Sequence, residues 1–140
     1  PSGLHVDNRS TARDLLARRP DLAFAYVHGS ILTPLPFRDL DLAVYWDLQD
    51  PRRVRTRTMD ALEALEAALG KAADADPAPP VDLLALNDAP LGFRYQVLRR
   101  GRLLLCRNEP QRVRWTVQTV SRYLDLKPLR ERALKEAMTA

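Results

Sequence analysis

The sequence predicts an α/β (α+β) domain with a small mixed β-sheet and helices packed mainly on one face. Short apolar runs typical of strands alternate with longer amphipathic segments, in the order helix, strand, strand, helix, strand, helix, strand, helix. The length of 140 residues suits one domain with room for a real core. We therefore expect residues 1–140 to form a single domain that has a C-terminal helical segment from about residue 110.

The first elements follow from local sequence. Ser10 is a suitable N-cap for a short helix that ends before Pro20. Residues 22–28 (LAFAYVH) form an unbroken apolar run, which indicates a strand covered on both faces. Two prolines in residues 31–38 (ILTPLPFR) predict a loop, because proline lacks the amide donor that regular structure needs. Residues 40–46 (LDLAVYW) then form the second strand.

The middle of the chain repeats the pattern. Asp50-Pro51 opens a helix whose apolar residues recur at three- and four-residue steps, and Gly70 is its expected end. Residues 81–86 (VDLLAL) and the RLLLCR run from Arg102 are the third and fourth strands. The helix between them is expected to stop at Gly101.

A long helix is predicted from Pro110, with an interruption at Pro128. It carries one apolar stripe, which we expect to pack mainly inside the molecule: Val113, Val117, Val120 and Leu124. The remaining exposed apolar surface, with the arginines around 99–114, is where we expect a partner protein to bind.

Composition excludes several classes of function. The single cysteine, Cys106, rules out an intrachain disulfide and a thiolate zinc site. No apolar run approaches the roughly 20 residues of a membrane span, and the first residues lack the apolar centre of a signal peptide. We therefore expect a cytoplasmic protein without membrane contact. The net charge is +4, but the arginines are scattered, so no direct nucleic-acid binding is expected.

The loop and strand around residues 29–41 carry the first chemical motif. Asp39 and Asp41 are two residues apart, so both side chains point to one face while Leu40 and Leu42 enter the core. Two neighbouring carboxylates raise each other's pKa unless a cation neutralises them, and magnesium prefers such oxygen ligands. Gly29-Ser30, after the preceding strand, offers backbone amides and a hydroxyl that suit a phosphate.

A third carboxylate would complete a nucleotidyl-transfer site. Asp82 lies near the start of an otherwise apolar strand, and it reaches the same face if that strand neighbours the one with Asp41. Two magnesium ions could then bridge the three aspartates and a nucleoside triphosphate, with Asp82 as ligand and proton acceptor. Taken singly, Asp-x-Asp and Gly-Ser are more often strand-edge or turn residues. His28 is expected to pack at the strand end rather than to touch the nucleotide.

The arrangement "GS", spacer and "DLDL" between two strands resembles the minimal nucleotidyltransferase (MNT) domains of the DNA polymerase beta superfamily. The later segment from "VDLLALND" to "YLDLKPL" resembles MntA-type antitoxins, and the similarity extends from about residue 10 to about residue 135. This resemblance implies a nucleotidyltransferase fold, a HEPN-domain RNase toxin as partner, and magnesium-dependent transfer of AMP from ATP to a toxin tyrosine. It also implies that Asp39, Asp41 and Asp82 hold the metals and that Gly29 and Ser30 hold the phosphates.

The spacer departs from the family pattern. Its eight residues are fewer than usual, and it lacks the usual small-Arg-Gly segment. Arg38 either replaces that positive charge at the triphosphate or is a solvated loop residue. Two other functions stay open: an antitoxin that only binds its toxin, and a nucleotidyltransferase acting on a small molecule. The latter normally has an extra substrate domain, for which 140 residues leave little room.

Overall fold

The computed structural model describes residues 3–28, 40–73 and 80–139. These residues form the predicted α/β fold, with the eight elements in the predicted order. The strands are β1 (Leu22–His28), β2 (Leu40–Trp46), β3 (Val81–Ala85) and β4 (Arg102–Cys106). The helices are α1 (Gly3–Ala17), α2 (Pro51–Ala73), α3 (Leu91–Arg100) and α4 (Glu109–Thr139).

The four strands form one mixed sheet in the order β3-β2-β1-β4. Strand β1 is antiparallel to both β2 and β4, whereas β2 and β3 are parallel. The parallel pair requires a crossover, and the long helix α2 provides it. Strands β1 and β2 lie in the centre of the sheet, and each is hydrogen-bonded to a neighbouring strand on both sides.

Apolar side chains fill both faces of the sheet. On the first face, residues such as Leu42 and Val44 of β2 pack in one cluster with Leu16 of α1 and Leu65 of α2. The second face carries a smaller aromatic cluster, which includes Phe24, Val97 of α3 and Trp115 of α4. Strand β1 is thus covered on both sides, as its unbroken apolar run predicts. Helices α3 and α4 pack on the second face of the sheet, where we expected fewer helices.

Three helix ends differ from the predicted ones. Helix α1 begins at Gly3, so Ser10 is an exposed residue inside it rather than the N-cap. Helix α2 continues through Gly70 to Ala73, and α4 continues through Pro128. A glycine costs a helix about 1 kcal/mol and a proline about 3 kcal/mol. Such local costs do not end a helix when good helix formers follow.

The apolar stripe of α4 packs inside the domain only at Val120, which is half-buried, so the prediction that it packs mainly inside is wrong. Val113, Val117 and Leu124 are 46%, 59% and 52% exposed. The helix instead buries Trp115 and Thr119. Leu129, Leu134 and Met138 extend the exposed apolar surface toward the end of α4.

Polar side chains hold the ends of the elements. Asp50 accepts a hydrogen bond from the Arg52 amide (2.9 Å) at the start of α2, as expected for a cap before Pro51. The Arg107 guanidinium, just after β4, donates to the carbonyls of Ala17 and Arg19 at the end of α1. Among the described helices, none combines the length and apolar character needed to span a bilayer.

Candidate active site

The parallel pairing of β2 and β3 brings two of the predicted aspartates together. Asp41 is the register partner of Asp82, and neighbouring strands lie about 4.8 Å apart. The adjacent residues Leu42 and Leu83 are buried in the first-face cluster. Because side chains alternate along a strand, both aspartates project from the second face. Asp41 is half-buried and Asp82 is exposed.

His28 lies on the other side of Asp41. It is the last residue of β1 and the antiparallel register partner of Asp41, so a row of Asp82, Asp41 and His28 crosses three adjacent strands. Burial lowers the pKa of His28, although the negative charges of the two aspartates oppose this shift. The imidazole therefore favours its neutral form despite its acidic neighbours.

The His28 ring packs against α3, as expected for a residue at a strand end. Its edge meets the ring of Phe93, with centroids 5.5 Å apart and planes at 83°. The Nε2 atom is buried and has no hydrogen-bond partner among the described residues. A buried imidazole nitrogen without a partner costs free energy.

Gly101 allows α3 to approach β1 this closely. A Cβ atom at this position would lie 2.5 Å from the Val97 carbonyl oxygen and 3.1 Å from the Val27 carbonyl oxygen. The Gly101 amide donates to the Val97 carbonyl (2.8 Å) and closes the helix. Its φ of −83° suits any residue, so glycine is needed here for space and not for conformation. The predicted stop at Gly101 is confirmed.

A recess of about 380 Å³ lies between the end of β1 and this helix. Its lining is His28 and four residues of α3: Phe93, Gln96, Val97 and Arg100. The four recur at three- and four-residue steps and so share one face of the helix. Sequence reasoning missed these residues because nothing in the pattern of α3 says which element it packs against.

The remaining predicted site residues, Gly29, Ser30, Arg38 and Asp39, lie outside the described residues. Within residues that the structure describes, no three His, Cys, Asp or Glu side chains form a metal site. The pair of Asp41 and Asp82 nevertheless has the right chemistry for magnesium, since two carboxylates supply hard oxygen ligands side by side. The donor set fits the predicted metal, with Asp39 as the third ligand still a prediction.

Comparison with known proteins agrees with this geometry. A model of the polymerase beta nucleotidyltransferase family matches residues 11–110, which include all four strands of the sheet. None of the curated proteins matches the chain.

Solved structures resemble the chain over nearly its whole length. One is the tri-AMPylated Shewanella oneidensis HEPN toxin in complex with an MNT antitoxin, with 25% identity and a TM-score of 0.67 over 96% of this chain and 98% of that one. Another is a toxin–antitoxin structure with AMP-PNP, with 27% identity and a TM-score of 0.66 over 94% and 98%. A third, the toxin–antitoxin MntA-HepT, has 24% identity and a TM-score of 0.66 over 95% and 98%, and supports the fold.

Proposed function

The chain belongs to the polymerase beta nucleotidyltransferase family, and we propose that it is the antitoxin of a HEPN/MNT toxin–antitoxin pair. In this proposal it acts in the cytoplasm as a protein adenylyltransferase. It transfers AMP from ATP to a tyrosine of its HEPN toxin, an RNase, and thereby neutralises it. The similar structures of a tri-AMPylated HEPN toxin with an MNT antitoxin and of a toxin–antitoxin pair with AMP-PNP support this assignment.

The observation that carries the proposal is the register pairing of Asp41 with Asp82 on one face of the sheet. Neighbouring strands lie about 5 Å apart, so this pairing brings two like charges close together and favours a bound cation. A structural role would not require the second carboxylate. Strand β3 could equally have placed a neutral polar residue at this exposed position.

Each residue of the proposed site has a role. Asp39, Asp41 and Asp82 would hold two magnesium ions, which would supply charge stabilisation at the α-phosphate and lower the pKa of the attacking hydroxyl. The Gly29 amide and the Ser30 hydroxyl hold the triphosphate, with the Arg38 guanidinium as an additional phosphate contact. The tyrosine oxygen forms a bond to the α-phosphorus, the bond to the β-phosphate oxygen breaks, and pyrophosphate leaves. Asp82 accepts the phenol proton.

The test is direct transfer to the toxin. The purified chain is incubated with the toxin encoded beside it, ATP and magnesium, and the intact mass of the toxin is measured. We expect a gain of one or more adenylyl groups, located on tyrosine by peptide mass spectrometry. Asp82→Asn should slow the transfer about 100-fold or more, because it removes charge stabilisation at the reacting phosphate.

Asp88→Asn is the matched control. Asp88 is exposed in the turn after β3, so this substitution removes the same negative charge at a position away from the site. It should transfer AMP at the wild-type rate. A toxin whose mass does not change with wild-type protein, or equal rates for Asp82→Asn and Asp88→Asn, would contradict the proposal.

A second function, neutralisation by binding alone, draws support from the exposed apolar residues Val113, Val117 and Leu124 of α4. Such a surface suits a protein partner whether or not AMP is transferred. Co-expression of the toxin with the Asp39→Asn/Asp41→Asn variant separates the two functions. Full protection of the cells without modified toxin would favour binding, whereas loss of protection would favour catalysis.

A further inference from the structure

Helix α4 carries apolar side chains on a side that its own domain leaves largely uncovered. The residues of this apolar stripe are Val113, Val117, Val120 and Leu124, and all of them except the half-buried Val120 are exposed. Their steps of four, three and four residues are the heptad spacing of a coiled-coil seam. The stripe therefore has the pattern of a surface that packs against a second helix.

The apolar stripe is not the side of α4 that packs on the sheet. Trp115 and Thr119 are the residues that α4 buries against its domain. Because an α-helix turns about 100° per residue, Val117 points about 160° away from both of them. A helix that packs only on its own domain needs one apolar side. The second apolar side thus indicates contact with another helix.

The charged residues beside the stripe indicate which partner fits. Arg114 precedes the centre of the stripe, at residues 118–119, and Asp125 follows it. Their helical positions place both residues on the same flank of the stripe. The other flank carries Glu109 before the centre and Lys127 after it. Each flank therefore has opposite charges at similar distances from the centre, which makes it complementary to a reversed copy of itself.

An antiparallel pair of α4 helices, aligned at the two stripe centres, brings these charges together. Arg114 then lies within two residues of the level of Asp125 of the second copy. Two residues correspond to about 3 Å along a helix, which the long arginine side chain can span. Glu109 lies within one residue of the level of Lys127 of the second copy. Although Glu109 already pairs with Arg112, a carboxylate has room for a further donor.

A parallel pair of α4 helices fits less well. Lys127 follows Leu124 by three residues and so continues the heptad spacing of the stripe. In a parallel pair, each Lys127 would face Lys127 of the second copy, and the two like charges would repel each other. In the antiparallel pair, the same side chain lies near Glu109 instead. The charges therefore favour the antiparallel orientation.

We propose that the apolar stripe is the seam of a homodimer, in which α4 packs antiparallel on α4 of a second copy of this chain. This association goes beyond the proposed function, because neither the paired aspartates nor ATP takes part in it. The seam covers about three helical turns, so the interface is small and its affinity is low. We expect a dissociation constant on the order of 10–100 µM.

Sedimentation of the purified full chain, without toxin or nucleotide, tests the dimer. Wild type should sediment mostly as a dimer at about 300 µM and mostly as a monomer at about 3 µM. Val117→Glu places a charge in the middle of the seam from both copies, so this variant should stay monomeric throughout that range. Val117 is exposed and glutamate is a good helix former, so the domain should keep its fold.

Gln118→Glu is the matched control for Val117→Glu. It places the same residue at the next position of the same helix, which is exposed and lies off the stripe. This variant should dimerise with the wild-type dissociation constant. Circular dichroism of both variants checks that helix content is unchanged.

Exchange of the flanking charges tests the antiparallel register. Arg114→Glu alone should weaken the dimer about tenfold, because two attractive contacts with Asp125 become repulsive. Asp125→Arg alone should weaken it to a similar extent. An equimolar mixture of the two variants should associate with about the wild-type affinity, since each variant supplies the charge that the other needs. In a parallel pair, residues 114 and 125 would be about 16 Å apart along the helices, and mixing would restore nothing.

Three results would overturn the inference. The first is a wild-type chain that remains monomeric at about 300 µM, which would leave the stripe to a helix of another protein. The second is a Val117→Glu variant that dimerises as well as Gln118→Glu, which would place the contact elsewhere. The third is a mixture of the two charge variants that associates no better than either variant alone. None of these results bears on transfer of AMP to the toxin, which is measured separately.

Discussion

Replacing Gly101 with alanine tests whether direct backbone contact holds α3 against β1. The new Cβ would lie 2.5 Å from the Val97 oxygen and 3.1 Å from the Val27 oxygen, and rotation of a side chain cannot relieve contacts with backbone atoms. Such overpacking typically costs about 1–3 kcal/mol. Alanine also restricts the unfolded chain, which returns about 0.4–1 kcal/mol. We expect the free energy of unfolding to fall by about 1–2 kcal/mol.

Urea unfolding followed by circular dichroism measures this change, and Gly92→Ala is the control. Gly92 lies in the same helix, but nothing is within 4 Å of a Cβ added there. Alanine at this position should leave the free energy of unfolding unchanged or raise it by up to about 1 kcal/mol. A Gly101→Ala variant as stable as Gly92→Ala would show that the end of α3 moves freely and that close backbone contact does not hold it against β1.

Three further predictions concern other parts of the fold. Asn87→Ala should lower the free energy of unfolding by about 2 kcal/mol in urea, because the Asn87 amide accepts from the Trp46 N–H (3.0 Å) and donates to the Trp46 carbonyl (2.8 Å); an unchanged midpoint would contradict this. Burial, with a hydrogen bond to Glu109, raises the pKa of the Cys106 thiol. Iodoacetamide at pH 7.5 should therefore alkylate the native protein at least about tenfold more slowly than the urea-unfolded chain; equal rates would refute it. The hydrogen bond from Arg112 lowers the pKa of Glu109 from 4.5 to about 2. The stability from this pair is present above pH 4.5 and lost as the pH falls toward 2, so acid titration of Glu109→Gln should show a shallower loss of stability than wild type.

The strands were predictable because their sequences are apolar on both faces. Strands β1 and β2 have the predicted bounds, and β3 and β4 end within one residue of them. The helix ends were less predictable, because Ser10, Gly70 and Pro128 are local signals of about 1–3 kcal/mol each. Continued hydrogen bonding along the helix outweighs signals of that size.

The exposed stripe of α4 shows that helical periodicity in a sequence does not predict which face of a helix is buried. Val113 and Val117 recur at helical spacing and therefore share a face, but periodicity does not reveal what covers that face. The sheet is covered by Trp115, whose large ring packs beside Phe24 at 5.3 Å between centroids. One large aromatic residue thus sets the rotation of the helix and leaves the smaller valines exposed.

The candidate site could be predicted in part. Asp41 and Asp82 follow from their positions in apolar strands, and the structure adds their register. The roles of Gly29, Ser30, Arg38 and Asp39 stay predictions. The recess beside His28 could not be predicted, because it depends on the contact between Gly101 and Val27, which are far apart in sequence.

The hydrophobic core enforces the position of the two aspartates. Leu42 and Leu83 are register partners and both are buried on the first face. A one-residue slip between β2 and β3 would turn Leu83 outward and push Asp82 into the core. Losing one buried leucine costs about 2 kcal/mol, and burying a carboxylate costs several more. Repulsion between two unit charges about 4 Å apart is only about 1 kcal/mol in water and about 4 kcal/mol near a protein surface. Core packing therefore outweighs the repulsion and holds two like charges side by side, and that retained repulsion is the free energy that a bound cation would recover.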